Sequence, residues 1–376
     1  MLVAGWKPGN PANVFSATRK KIACALAVLV LFAVLMVRHF SGGSDAARAE
    51  LLRFVPSSAT SVVFVDLDQL RSSPFLAALY SWLPAPAEDS EYTQFVEETG
   101  FNYERDLSEL FVAVSHRGAS SSTLVVADGK FDRRRIEAFL AHHGSATEEG
   151  GRKLFMLHAT RNGQPLSVAF LSDRRMAVAD SEPVTTALQL VADQAARTEW
   201  QVRFDRLAGT PAFSVFRQDP AIAVALGGAT PGGFRSPQLA ALLEQLRWIS
   251  IAAKPDGQLL RLVADGECPS NKVASELSDF LQGIQVLAQN GLNDPQLRRQ
   301  MNADQRQAYL ELLKSADIEK IDRGESKSVR LVLSVTPQFL AVANLSGLIA
   351  RPGPGDPPAH GEPGPATRKS PAAKKR

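Results

Sequence analysis

Residues 123–142, TLVVADGKFDRRRIEAFLAH, decide the fold, because a strand, a turn and a helix follow one another there. The segment from Thr123 to Asp128 is rich in β-branched and apolar residues, and Asp128-Gly129 is a turn pair. A helix is predicted from Asp132 to His142. Its apolar residues Ile136, Phe139 and Leu140 share one face with Phe131, the residue just before the helix.

Two short motifs around this unit occur twice in the chain, in the same order. Ser73-Pro74-Phe75-Leu76-Ala77-Ala78-Leu79 returns as Ser236-Pro237-Gln238-Leu239-Ala240-Ala241-Leu242. Val126-Ala127-Asp128-Gly129 returns as Val263-Ala264-Asp265-Gly266. The first copy has a longer spacing because of the stretch Pro84 to Asp106, which predicts an inserted acidic helix and a turn. An internal duplication is therefore predicted, with chance as the alternative for matches this short.

The pattern around both copies predicts an α+β fold: antiparallel sheet or sheets with helices packed on one side. The two related modules are assigned to residues 52–200 and 201–350, and whether they share one sheet is left open. Strands are predicted at Ser61–Asp66, Leu110–Ser115, Thr123–Asp128, Lys153–His158, Leu166–Leu171, Met176–Ala179, Phe213–Phe216, Trp248–Ala253, Leu259–Asp265 and Val329–Leu333. Besides 132–142, helices are predicted from Ser73-Pro74, from Glu182 to about Ala196, from Ser270, over Asp304–Ser315 and over Gln338–Leu348.

An apolar run over residues 22–37 follows Arg19, Lys20 and Lys21, and no acidic residue precedes it. A helix of this length covers roughly 24 Å, and snorkelling by flanking basic side chains can close the gap to a ~30 Å hydrocarbon core. Positive charge resists translocation, so we expect a single-pass anchor with a cytoplasmic N-terminus and an exported, periplasmic domain. The assigned segments are 1–21 cytoplasmic, 22–40 transmembrane, 41–51 linker and 351–376 tail.

Two other interpretations of the apolar run stay open. A cleavable signal peptide would end near a small-x-small site, and Ala47-Arg48-Ala49 is such a triplet, although it lies well beyond Val37. A buried core helix is the third interpretation, and the lack of a polar face speaks against it.

The formal net charge of +3 conceals an uneven distribution. Residues 1–21, Arg38 and the tail from Arg351 carry nine net positive charges between them, which leaves about −6 for the folded part. A mildly acidic domain does not present the broad basic face that nucleic acid requires, so no nucleic-acid partner is expected.

The chain has two cysteines, Cys24 in the apolar run and Cys268. A disulfide framework is therefore not expected, and a domain of this size can fold without one. Cys268 is predicted to be a quiet, half-buried thiol, with a nucleophilic role as the alternative.

Asp66-Leu67-Asp68 has the DxD form with which sugar-nucleotide transferases hold a divalent metal. The alternative is that one of the two carboxylates caps the next turn. Ser115 and His116 are adjacent and belong to no nucleophile-elbow pattern. His158 is expected at a strand, and His142-His143 closes a helix, where a cation favours the carboxyl end. No catalytic, cofactor-binding or metal-binding residue is assigned, and no cofactor is expected.

Asp132-Arg133-Arg134-Arg135 and Asp173-Arg174-Arg175 are basic clusters that would form an anion or headgroup patch if they met in space, and otherwise a solvated surface. Residues 227–233 lack the Lys-Ser/Thr of a phosphate loop and indicate a flexible link. The tail 351–376 is rich in proline and is predicted to be disordered. Its closing Lys369, Lys374, Lys375 and Arg376 would contact anionic cell-wall polymer or lipid, or simply solubilise the end.

Phe101 to Asp106 before a strand, Gly129-Lys130-Phe131-Asp132 before a helix, and the stretch from Leu166 to Asp173 resemble a pattern in bacterial envelope proteins that have no assigned activity. The resemblance extends over about residues 52 to 345. It implies a membrane-anchored or secreted α+β domain, and it implies nothing about chemistry.

The sequence thus favours an anchored extracytoplasmic protein that acts in binding or assembly, held to membrane lipid by residues 22–37 and in contact with other envelope proteins. One alternative is an anchored enzyme, glycosyltransferase-like through Asp66 and Asp68 or hydrolase-like through a Ser/His pair. The other is a carrier of lipid or another hydrophobic ligand.

Overall fold

The computed structural model describes residues 50–82, 90–117, 120–157, 165–180, 183–189, 194–218, 237–295, 301–324 and 326–342. The predicted membrane segment 22–40 and tail 351–376 lie outside these residues. In the part of the chain that the structure describes, no helix combines the length and the apolar character that crossing a membrane requires. The predicted α+β class is confirmed as one large antiparallel sheet with helices.

Twelve strands form the sheet: β1 (Ala59–Asp66), β2 (Leu107–Arg117), β3 (Ser120–Gly129), β4 (Gly144–Glu149), β5 (Arg152–Leu157), β6 (Leu166–Ser172), β7 (Arg175–Asp180), β8 (Ala212–Arg217), β9 (Trp248–Asp256), β10 (Leu259–Cys268), β11 (Asp317–Arg323) and β12 (Ser326–Val335). The helices are α1 (Leu67–Arg71), α2 (Pro74–Trp82), α3 (Ser90–Thr99), α4 (Tyr103–Asp106), α5 (Arg133–His143), α6 (Val184–Gln189), α7 (Gln194–Arg206), α8 (Pro237–Leu243), α9 (Asn271–Gly291), α10 (Ala303–Lys314) and α11 (Pro337–Val342). A 3-10 helix, Leu52–Phe54, precedes β1.

The strand order is β11-β12-β10-β9-β8-β1-β2-β3-β7-β6-β5-β4, and β1 and β8 pair antiparallel in its interior. Outward from β1 the order is β2, β3, β7, β6. Outward from β8 it is β9, β10, β12, β11, so each half of the sheet follows the same path before β5 and β4 extend the first half.

Helices cover both faces of the sheet, which differs from the expected packing on one side. Val62 and Phe64 of β1 belong to a core that the 3-10 helix, α6 and α7 complete. Val63 and Val65 point the other way, into a core completed by α1, α2 and α5. Successive strand residues face opposite sides, and both sides of β1 are apolar, so each needs a cover. A one-sided sheet would leave half of these side chains in water.

On the second of these faces, α8 and α9 continue the cover over β9, β10 and β12. Leu239 of α8 and Val273, Ala274 and Leu277 of α9 are its buried members from helices. The helix predicted from Ser270 begins there as expected, because the Ser270 hydroxyl accepts a hydrogen bond from the Val273 amide at 3.3 Å.

The sequence analysis did not predict strands β4 and β11, which form the two edges of the sheet. Their side chains are largely exposed and polar, so the apolar alternation that marks a strand is missing. The single helix predicted from Glu182 to about Ala196 is instead α6 and α7, with residues 190–193 outside the described part. Position 200, the assigned module boundary, falls within α7.

Candidate functional site

The DxD carboxylates begin a helix at the end of β1. The Asp66 side chain accepts a hydrogen bond from the Gln69 amide at 2.8 Å and so caps α1. Asp68 lies 3.1 Å from Nη1 of Arg71, one turn further along the same helix. The capping alternative therefore describes Asp66. Among the described side chains, no three from His, Cys, Asp and Glu are grouped so as to hold a metal ion.

Asp66 is also the first member of a row of charged residues that crosses four strands. Asp66 of β1 stands opposite Glu109 of β2, Glu109 opposite Asp128 of β3, and Asp128 opposite Arg175 of β7. Directly opposed residues of antiparallel strands project from the same face of a sheet. Three acids and one base are thus aligned on one face at one end of these strands. Asp66 and Glu109 are buried.

Arg175 binds two carboxylates at once. Its Nε and Nη2 donate to Oδ1 and Oδ2 of Asp128 at 2.6 and 2.5 Å, the paired geometry that guanidinium groups favour. Its Nη1 donates to Oε1 of Glu50 at 2.9 Å, and its guanidinium carbon lies 5.5 Å from the ring centroid of Phe54. The hydrogen bonds to Asp128 raise the pKa of Arg175, and the bond from Arg175 lowers the pKa of Glu50.

Glu109 is the member of this row whose negative charge would be least compensated by its neighbours. Burial, together with the nearby carboxylates of Asp66 and Asp128, raises the pKa of Glu109 to about 7, although Arg175 acts to lower it. Within the described part of the chain its Oε2 atom is buried and has no hydrogen-bond partner. A glutamate in these surroundings exchanges its proton near neutral pH.

A second charged group occupies the matching place in the other half of the sheet. Asp265 of β10 stands opposite Arg330 of β12, as Asp128 of β3 stands opposite Arg175 of β7. Oδ2 of Asp265 accepts from Nη2 of Arg330 at 3.0 Å and from Nη2 of Arg323 at 2.8 Å. The repeated Val-Ala-Asp-Gly motif therefore places an aspartate opposite an arginine in both copies.

Next to Asp265, the buried Glu267 ties α7 to the sheet. Glu267 accepts hydrogen bonds from Arg203 at 3.1 and 2.6 Å and from Arg206 at 2.6 Å. The Arg203 guanidinium also lies 4.3 Å from the ring centroid of Trp248, and Trp200 packs edge-on against the same ring. These contacts fasten the helix that crosses the predicted module boundary to the second half of the sheet.

The glycines of the repeated motif have a packing reason in both copies. A Cβ atom at Gly129 would lie 2.5 Å from the backbone oxygen of Asp106. A Cβ atom at Gly266 would lie 2.9 Å from Cδ1 of Leu246. The contact at Gly129 is with backbone, so that position requires glycine, whereas a side chain at Gly266 would require the end of the Leu246 side chain to shift.

The other nominated residues do not converge on one centre. Ser115 is buried in β2, and Nδ1 of His116 lies 2.8 Å from the hydroxyl of Thr60. Cys268 is buried, its thiol donates to the Gly266 carbonyl at 3.6 Å, and burial raises its pKa to about 11. The thiol is therefore more buried than the half-buried state that we predicted.

The two basic clusters meet, but their charges are largely occupied. Arg133 binds Glu137 at 2.6 Å and reaches Asp173 at 3.4 Å, which joins α5 to the β6–β7 turn. Arg135 donates to the Glu97 and Glu98 carbonyls at the end of α3. Arg175 binds Asp128 and Glu50, as described above, and so belongs to the row of charged residues on the sheet. Arg133, Arg134, Arg135 and Arg174 are all exposed, and Arg175 is only partly so.

His142 and His143 end α5, as predicted, and Nε2 of His143 lies 3.7 Å from a Glu98 carboxylate oxygen. Several nominated features lie outside the described residues: Cys24, His158, residues 227–233 and the basic tail. Glu50 and Glu109 were not nominated from the sequence. The signal for Glu109 was available only through strand register, since the paired positions 66, 109 and 128 each carry an acid, whereas Glu50 lies outside the strands and had no such signal.

Comparison with known proteins gives a structural likeness only. No family model matches the chain, and no curated protein matches it. Crystal form I of TP0453 aligns at 13% identity with a TM-score of 0.40, covering 79% of this chain and 96% of that chain. Crystal form III of TP0453 aligns at 11% identity with a TM-score of 0.43, covering 78% and 97%. At such low identity the likeness carries no information about chemistry.

Proposed function

We propose that the chain is a single-pass membrane protein whose extracytoplasmic α+β domain binds or assembles other envelope components and does not catalyse a reaction. The apolar run 22–37, with Arg19, Lys20 and Lys21 before it, supports an anchor whose N-terminus stays in the cytoplasm. The domain would then face the periplasm.

The observation that carries this proposal is the way the domain begins. Leu51, Leu52 and Val55 are buried in the core, and Glu50 is bound to Arg175 of the sheet. Twelve residues separate Val37 from Glu50. Twelve extended residues span at most ~40 Å, so the domain would be held close to the bilayer. A short tether to a rigid sheet suits a scaffold that works at the membrane surface.

We also propose that the two halves arose by duplication, with modules over residues 52–200 and 201–350. The matching strand order on either side of the β1–β8 pair supports this history. The paired positions Asp128–Arg175 and Asp265–Arg330 support it as well. Duplication explains why the repeated glycines both face a crossing segment.

The state of the DxD carboxylates favours binding over glycosyl transfer. Asp66 caps α1 and Asp68 is paired with Arg71, so both acids already have partners within the fold. A metal-holding DxD pair needs its carboxylates directed at the ion. The binding surface in this proposal is the basic tail, which would contact envelope proteins or anionic polymer.

Reporter fusions test the topology. Alkaline phosphatase fused after residue 376 of the full chain should be active, and green fluorescent protein at the same place should stay dark. Replacing Arg19, Lys20 and Lys21 with glutamate should reduce phosphatase activity. Bright fluorescence with inactive phosphatase would overturn the compartment assignment. The mass of the membrane-extracted chain distinguishes a retained anchor from cleavage after Ala49.

Crosslinking in intact cells tests the binding role. The full chain should capture envelope proteins or cell-wall polymer, and a chain that ends at residue 350 should lose the polymer fraction. Capture by both chains would assign binding to the folded domain. Turnover of an envelope substrate by the purified full chain, lost on replacing Asp66 or Ser115, would contradict the non-enzymatic proposal.

A further inference from the structure

We propose that Glu109 and Arg175 form a proton-controlled latch on residues 50–55, the segment that leads into the sheet. With Glu109 neutral, Arg175 holds Glu50. With Glu109 ionised, Arg175 is drawn toward it, and its hold on the leading segment weakens.

The leading segment has two kinds of attachment. Leu51, Leu52 and Val55 are buried, so the hydrophobic core retains the segment at any pH. Glu50 and Phe54 add a polar attachment, because both contact the guanidinium of Arg175. A latch acting on the polar attachment therefore loosens the segment without releasing it.

The charged groups around Glu109 determine which contact yields. Facing it are Asp66 on β1, Asp128 on β3, Asp68 on α1 and Arg175 on β7, and of these Arg175 is the one that favours ionisation. The nearby Arg71 lies 3.1 Å from Asp68 and donates to the Arg105 carbonyl at 3.2 Å. An ionised Glu109 would thus turn to Arg175 for compensation.

Arg175 would give up Glu50 before Asp128. Two hydrogen bonds join Arg175 to Asp128, and both side chains are largely buried. One hydrogen bond joins it to Glu50, whose side chain is 47% exposed and can be solvated instead. The weaker, more hydrated contact is the cheaper one to break.

The transition falls near neutral pH, because the pKa of Glu109 is about 7. The latch is a property of the described domain and does not depend on where the domain resides. Its use as a link between envelope pH and a membrane tether rests on the proposed function.

Hydrogen exchange of the purified full chain in detergent tests the latch. The peptide covering residues 50–55 is followed at about pH 6 and about pH 8.5, with exchange times scaled to intrinsic amide rates. We expect exchange to be about two- to fivefold faster at the higher pH, the range for loss of one exposed ion pair. Peptides from β10 and β12 should not change.

Three variants separate the latch from general loosening. Glu50→Gln should exchange at the lower pH as fast as the unmodified chain does at the higher pH. Glu109→Gln should keep slow exchange at both. Glu276→Gln, an exposed change on α9, should retain the pH dependence of the unmodified chain.

Equal exchange of residues 50–55 at both pH values in the unmodified chain would overturn the latch, even if Glu109→Gln failed to fold. Equal acceleration of β10 and β12 would also overturn it, since the effect would then be global. Neither outcome of the exchange experiment affects the reporter fusions. The latch and the proposed function are therefore tested independently.

Discussion

Asp128 and Arg175 stand directly opposite each other on β3 and β7 and are joined by two hydrogen bonds of 2.6 and 2.5 Å. Asp265 and Arg330 repeat the arrangement on β10 and β12. Asp128 is partly buried and depends on Arg175, and the buried Asp265 depends on Arg330 together with Arg323. The pairs therefore fix the end of each half-sheet, and they supply the clearest targets for mutation.

Arg175→Ala should lower the free energy of unfolding by about 3 kcal/mol, because it leaves the carboxylate of Asp128 next to other acids without a positive partner. Arg175→Lys should recover only part of that loss, since an ammonium cannot reproduce the two parallel hydrogen bonds. Urea denaturation measures both. Arg174→Ala, at the exposed neighbouring position, is the control and should change stability by less than about 0.5 kcal/mol. Equal effects at 174 and 175 would show that the pair does not stabilise the sheet.

Leu51→Ala should cost about 2–5 kcal/mol, as for other buried leucines, because the leading segment belongs to the core. Arg53→Ala, two residues away and exposed, should be nearly neutral. Thermal unfolding of both full-length variants checks this. If Leu51→Ala proved as stable as Arg53→Ala, the core would begin at β1, and the leading segment would be dispensable.

The sequence predicted the interior of this sheet better than its edges. Strands such as Ser61–Asp66 and Thr123–Asp128 carry runs of apolar and β-branched residues, and both fall inside strands of the structure. Edge strands β4 and β11 have few apolar side chains to bury, so their pairing depends on neighbours far along the chain. The pattern of apolar residues within one segment cannot predict a pairing that depends on those distant neighbours.

The charged row was beyond prediction for a related reason. Asp66 and Glu109 are 43 positions apart in the chain, and only the register of β1 against β2 makes them neighbours. A one-residue change of register would turn one of them to the opposite face. The sequence predicted Arg175 only as part of a basic cluster. Its side chain is in fact largely buried against Asp128, and its neighbour Arg174 has the exposed position expected for the cluster.

Cys268 should resist modification in the folded chain. Burial raises the pKa of its thiol to about 11, so the reactive thiolate is scarce at neutral pH and is shielded as well. In a chain carrying Cys24→Ser, maleimide labelling should be slow in buffer and fast in denaturant. Rapid labelling of the native protein would instead indicate an accessible, activated thiol, which would revive its role as a nucleophile.

Glu109→Gln should make the protein relatively more stable as pH rises. The folded chain holds the Glu109 proton up to about pH 7, whereas the unfolded chain releases it near the ordinary value of 4.5. The folded state thus binds more protons between these values, and its stability falls with rising pH across that window. Above the window the loss of stability is complete and constant.

Glutamine has no proton to lose, so the difference in melting temperature between variant and unmodified chain should grow from about pH 4.5 to about pH 7 and then level off. Measuring the difference cancels the other carboxylates, and Glu276→Gln should show no such growth. A difference that stayed constant over this range would mean that Glu109 ionises in the folded chain as it does in water, and that its burial among acids is relieved by solvent.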